Sequence, residues 1–164
     1  MLMDWANNLK DSALAQYIQN DVTAFPILEV AHVIAISLVV GSVFIVDLRL
    51  MNLASKSYRV TRLMKAVLPI TIIAFIFALA SGFLMFVTQP VVYLKTVPFV
   101  LKMGLLVVAG INMLAFHLWT QRSIANWDEG GAIPISARAA GLISLILWTA
   151  ILVAGRFVGF MLAY

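Results

Sequence analysis

The sequence predicts an all-α membrane protein: a four-transmembrane-helix antiparallel bundle with an N-terminal amphipathic interfacial helix. Three observations predict it. The chain of 164 residues is 63% hydrophobic and only 11% charged, far from the balance of an ordinary soluble domain. Four apolar runs, at residues 25–48, 66–88, 97–119 and 137–163, are long enough to cross ~30 Å of hydrocarbon at ~1.5 Å per residue. The charges fall mainly in the connections between those runs, where a membrane protein places them.

Residues 1–24 carry Trp5, Leu9, Ala13 and Tyr17 at four-residue spacing, among Asn7, Asn8, Lys10, Asp11, Gln16 and Asn20. That pattern predicts a modest amphipathic helix lying on the membrane surface. A basic region, short apolar core and small-residue cleavage site do not occur there, so the first crossing is expected to stay in the mature protein. Pro26 stands where a helix tolerates proline, in the first turn of the first span. Residues 25–164 then form a single four-helix domain.

The connections set the orientation. The loops after the first and third spans hold seven basic residues, Arg49, Lys56, Arg59, Arg62, Lys65, Arg122 and Arg138, against Lys10 and Lys95 on the opposite face. By the positive-inside rule the basic loops are cytoplasmic and both termini periplasmic, as expected for a multi-pass protein of the bacterial inner membrane. Asp128, Glu129, Gly130 and Gly131 predict an exposed acidic turn, and Tyr58, Tyr93, Trp119 and Tyr164 fit interfacial aromatic belts. The net charge of +4 is thereby a topological signal, and no nucleic-acid partner is expected. The chain has no cysteine, which excludes disulfides, thiolate metal sites and covalently attached haem. Ala78, Gly82, Gly104, Gly110 and the Gly155/Gly159 pair mark places for close helix packing.

Helix direction places the polar residues by depth. His32 is about seven residues inside the outer end of the first span, roughly 10 Å at ~1.5 Å per residue, with Glu29 one turn above it. Met85, Lys102 and Arg156 reach a similar stratum on the other three spans, so Glu29, His32, Met85, Lys102 and Arg156 are the main candidate cluster. An ionisable side chain at that depth is expensive and marks a functional site by default. His117, the only other histidine, lies about thirteen residues deeper, roughly 20 Å, which disfavours one iron held by both imidazoles. It forms a weaker candidate with Asp47, Arg49 and Arg122 in an inner polar layer dominated by surface anchoring, and Asn112 reads as an interhelical hydrogen-bonding residue.

A histidine at this position can give a neutral imidazole nitrogen to haem iron or copper while a neighbour orients the other nitrogen, a role open to Glu29. For haem, Met85, Lys102 or an open position completes the iron, and Arg156 or Lys102 neutralises the propionates. Copper handling by His32 with Met85 and Met103 is the alternative metal chemistry. Two further readings compete. A buried ion-pair network of Glu29, Lys102 and Arg156 would hold His32 for purely structural reasons in an accessory subunit, and Glu with His at membrane depth can also relay protons.

The segments FPILEVAHVIAISLVVGSVFIVDLRLMNLA, LPITIIAFIFALASGFLMF, PFVLKMGLLVVAGINMLAFH and LISLILWTAILVAGRFVGF resemble an uncharacterised family of small four-helix bacterial inner-membrane proteins. More loosely, the chain is similar to HemJ-type protoporphyrinogen oxidases and CopD-type copper-resistance membrane domains, which place a histidine early in helix one. In the HemJ type that histidine and a lysine opening a later helix are associated with haem b, and His32 and Lys102 stand at the matching positions. The resemblance implies b-type haem ahead of copper. The expectation is an electron-transfer or accessory membrane subunit rather than a stand-alone enzyme, with membrane-protein partners or copies of itself, and a periplasmic electron carrier as a further partner.

Overall fold

The computed structural model describes residues 2–120, 124, 127–128 and 132–163. Its helices are α1 (Leu2–Lys10), α2 (Ala13–Asn20), α3 (Ala24–Leu50), α4 (Val60–Thr88), α5 (Pro90–Lys95), α6 (Val97–Ala115) and α7 (Ile135–Ala163), and α6 continues into a π-helical turn at Phe116–Thr120. Four of these are long and apolar enough to cross a membrane. The all-α four-helix bundle is therefore the fold, with α4 beginning at Val60, six residues ahead of the apolar run. Pro69 lies inside α4, where it removes one backbone bond without ending the helix.

The amphipathic N-terminal segment is two helices rather than one. Ser12 interrupts it, its hydroxyl accepting from the Ala15 N–H at 3.3 Å to cap α2. Both pieces pack on the bundle: α1 against α4 and α5, α2 against α3 and α4. Ala6, Ala15 and Ile18 are buried there, and Ala15 and Ile18 join Val87 in a cluster with Leu9, Phe25, Leu28 and Leu84. The Gln19 side-chain amide donates to the Thr88 carbonyl at 2.7 Å, satisfying one of the carbonyls that a helix end leaves open. This is the capped end of the bundle. Tyr93, expected in an aromatic belt, is instead 7% exposed within it.

The spans pair as α3 with α4 and α6 with α7, while α3 against α7 joins the pairs; α4 and α6 share almost no backbone contact. The α3–α4 seam is made of Ala35, Val39 and Ser42 against Ala74, Ala78 and Ser81, all buried. Small side chains let the two backbones approach, which is how helices associate where lipid removes the hydrophobic drive. The Ser42 and Thr71 hydroxyls meet across the seam at 2.7 Å. On the other pair, the Asn112 amide donates to the Ala140 carbonyl at 3.1 Å.

At the opposite, basic end, Leu50, Val60, Met64, Phe116, Trp127 and Ala137 form a second core. Arg49 Nε donates to the Tyr58 carbonyl at 2.7 Å and holds the loop after α3, which turns through left-handed Asn52 and Ser55, φ 60° and 53°. Asp128 corrects an expectation: it is not part of an exposed acidic turn but 8% exposed. Its carboxylate accepts from the Val60 N–H at 2.6 Å, the Thr61 N–H at 3.2 Å and the Thr61 hydroxyl. Arg59, at the N-cap of α4, makes no side-chain cap bond, so an acid from the third loop caps that helix instead. Burial of the cap residue reflects the cost of leaving helix N–H groups unpaired beside the core. Arg122, Glu129, Gly130, Gly131 and Tyr164 lie outside the described residues.

Two outcomes follow for the caps. Asp128→Ala should lower stability in detergent by about 1–2 kcal/mol, with Asp128→Asn intermediate because it keeps an acceptor; a melting series reads the order. At the start of α3, Asp21 accepts from the Thr23 hydroxyl at 2.7 Å and from the Thr23 and Ala24 N–H groups at 2.8 and 3.1 Å. Those bonds, the hydroxyl first, hold its pKa below the ordinary carboxylate value. A depressed pKa contributes stability that is present at neutral pH and is lost as pH falls through the folded-state value. Amide exchange at Thr23 and Ala24, corrected for intrinsic rate, should therefore be slow at neutral pH and speed up under strong acid, and Asp21→Asn should be fast throughout.

Candidate functional site

His32 lies one turn before Ala35 on the face of α3 that meets α4. Its Nδ1 is 2.9 Å from the Ser81 hydroxyl, which is also 2.7 Å from the Phe77 carbonyl and 3.3 Å from that of Ala78. The next residue is Gly82, where an added Cβ would stand 2.9 Å from His32 Cε1 and 3.7 Å from Nε2. Only glycine leaves room for an imidazole this close to a helix backbone. Sequence reasoning passed over Ser81 and read Gly82 as packing alone; the available signal was a hydroxyl next to a glycine in the apolar run LASGFL.

Lys102 enters from α6. Its stem runs along α7 at Gly155, with Nζ 3.6 Å from where a Cβ would lie, and its charge is close enough to interact with His32. Neither His32 Nε2 nor Lys102 Nζ has a hydrogen-bond or ion-pair partner among the described residues. Neither is sealed, since among the described residues the one fully buried side-chain polar atom without a partner is Asp47 Oδ2. All four spans thus contribute to one small site: His32 from α3, Ser81 and Gly82 from α4, Lys102 from α6 and Gly155 from α7.

An aromatic group stands on the capped side of this layer. Phe86 of α4, one turn beyond Gly82, stacks on Phe99 of α6 at 5.6 Å and 11°. Tyr93 of α5 closes the group at 5.8 Å from Phe86 and 5.2 Å from Phe99. The Tyr93 phenol is pushed above its ordinary pKa, first by burial and then by the negative charge of Glu29.

The remaining candidates separate. Glu29 is exposed and makes no ion pair with the described residues; the group that holds the His32 ring is Ser81, a role that the sequence left open to Glu29. Met85 is half-buried on α4, one turn from Ser81 toward the capped end. Arg156 is exposed, with its guanidinium 4.5 Å from the centre of the Phe160 ring. No ion pair joins Glu29, Lys102 and Arg156, so the buried network of the competing structural reading does not form among them. The physical reason is azimuth: residues can share a depth and point to different sides of the bundle.

At the basic end His117 Nδ1 is 2.8 Å from the carbonyl of Met113, one turn back in its own helix, and its ring meets Phe116 edge-on at 5.7 Å. Asp47 was expected to be a surface anchor but is 5% exposed, and Ser144 of α7 is the side chain that interacts with it. Among the described residues no three His, Asp or Glu side chains gather as a metal site, and Met103, named for copper, is 45% exposed.

Fold and site together define a multi-pass α-helical membrane protein with a small polar site inside one end of its bundle. Comparison with known proteins gives no match among family models, curated proteins or solved structures.

Gly82→Ala tests the close approach. Its Cβ would drive into the imidazole and should cost about 1–3 kcal/mol as overpacking. Gly104→Ala and Gly110→Ala, where nothing lies within 4 Å, should be neutral or stabilising by up to about 1 kcal/mol. Thermal unfolding of the three variants in one detergent decides it.

Proposed function

We propose that this protein binds b-type haem in the outer third of the bacterial inner membrane and passes electrons within or beside a larger complex, its termini and capped end facing the periplasm. The observation that carries this reading is the state of His32, with one ring nitrogen held by Ser81 and the other without a partner. It supports the reading because a metal-ligating histidine has its second nitrogen engaged so that the first can coordinate.

The donor chemistry is of the kind haem takes. His32 would hold the iron, Met85 is a further candidate ligand, and Lys102, which has no carboxylate partner, would neutralise a propionate. Arg156 and Glu29 drop out of this set because both are exposed. Bound haem supplies one-electron redox chemistry, tuned by the axial ligand and by burial. The chain's own part is to orient the imidazole through Ser81, to place one positive charge beside it, and to shield the layer with Phe86, Tyr93 and Phe99. The likeness to the HemJ type belongs to this proposal and favours haem over copper.

One observation favours a second reading, an accessory subunit without a cofactor. Arg156 sits on the exterior of α7 about two turns from the helix end, where a guanidinium held only by the Phe160 ring is costly in lipid and a partner chain or a copy of this one could receive it.

Absorption spectra of the purified protein, oxidised and reduced, separate the readings. Haem predicts a Soret band that His32→Ala abolishes and Lys102→Met weakens. A spectrum without haem, together with Cu(I) binding weakened by Met85→Leu, would give the site to copper. No iron or copper, with a stable partner that Arg156→Leu releases, would leave the accessory role.

A further inference from the structure

We propose that Ser81 is a positioning residue: its hydroxyl accepts a hydrogen bond from His32 Nδ1–H and fixes the imidazole as the tautomer that presents its lone pair at Nε2. The inference deepens the haem reading and rests on it for its redox consequence, though the tautomer itself can be measured without any ligand.

Two independent features require this proton assignment. The first is the supply of protons on the α4 side. A serine hydroxyl has one proton, and here the Phe77 carbonyl at 2.7 Å takes it, with the Ala78 carbonyl at 3.3 Å the other acceptor in reach. With that proton committed, Ser81 Oγ meets Nδ1 at 2.9 Å as an acceptor. The Ala78 carbonyl also faces the ring and, being a carbonyl, only accepts.

The second feature is the surroundings of the other ring nitrogen. A proton on Nε2 would have no hydrogen-bond acceptor among the described residues. Lys102, whose charge acts on the ring, is an ammonium and only donates. The acceptor at Nδ1 and the lack of one at Nε2 both select Nδ1–H, and Gly82 brings the ring near enough to α4 for the Ser81 contact to form.

The consequence for ligation is specific. Nε2 alone is free to coordinate, and a bond from Nδ1–H to an acceptor raises the basicity of the coordinating nitrogen. Ser81 touches no ligand in this scheme and acts through His32.

The test begins on protein without haem. Nitrogen NMR of histidine-labelled protein in detergent, with His117→Asn to assign the signals, should show His32 protonated at Nδ1 and bare at Nε2. In Ser81→Ala the Nε2–H form should appear. Ser81→Thr should restore the native pattern, because a threonine hydroxyl also bonds back to the carbonyl four residues earlier. After haem loading, Ser81→Ala should retain haem about 10-fold more weakly and show a raised midpoint potential, and Ser81→Thr should recover both.

A wild-type ring protonated at Nε2 overturns the proposal, as does an alanine variant that keeps both the native tautomer and the native haem properties. If Ser81→Ala does not fold, the wild-type signal and the threonine variant still decide. If the tautomer is as assigned but wild-type protein takes up no haem, the haem reading falls and the proton assignment stands.

Discussion

The close approach of α3 and α4 is the contact on which the rest depends. Between helices in lipid there is no hydrophobic gain to be had, so association rests on fit and on a few hydrogen bonds. Here the fit comes from alanine, serine and glycine, and the bonds come at two heights: Ser42 to Thr71 in the middle and His32 to Ser81 nearer the capped end. Together they fix the register. A slip of one turn, about 5.4 Å, would break both at once and drive the imidazole away from the one glycine that accommodates it. The candidate site is in this sense a by-product of the seam, since the same small residues that let the helices pack also bring a ring to a backbone.

The second pair of helices completes the site from the other side. Lys102 reaches across from α6 over Gly155, a position where α7 has no side chain to block it. The two pairs are joined by α3 against α7 and, at the capped end, by the Phe86 and Phe99 stack. Below that stack α4 and α6 scarcely meet. The polar layer is thus walled by four helices but bound tightly to only one seam, the one in which the His32 ring lies.

Much of this was legible in the sequence. Hydropathy alone gives four spans, because a continuous apolar run of that length has few other uses. His32 and Lys102 stand out because ionisable groups are rare at such depths. The azimuth of a residue is another matter: alternating helix directions place Arg156, Glu29 and His32 in one stratum, and only packing shows that Arg156 turns to Phe160 on the exterior. Ser81 is harder still to see, since a serine in an apolar helix most often bonds its own backbone, and it does so here while also meeting His32. The break at Ser12 and the burial of Tyr93 depend on how the N-terminal helices dock, which amphipathic spacing does not specify.

Asp128 has a consequence for the order in which the chain acquires its structure. The N–H groups it caps belong to Val60, 68 residues earlier, and Thr61, 67 residues earlier. A chain made from its N-terminus would therefore present α3 and α4 to the membrane as a hairpin while the start of α4 still depended on water for its hydrogen bonds. That end becomes dry only after α6 has been made and the following loop has folded back. The hairpin is free to adjust its position until then, and the arrival of one carboxylate from the third loop closes the basic end and ends that freedom.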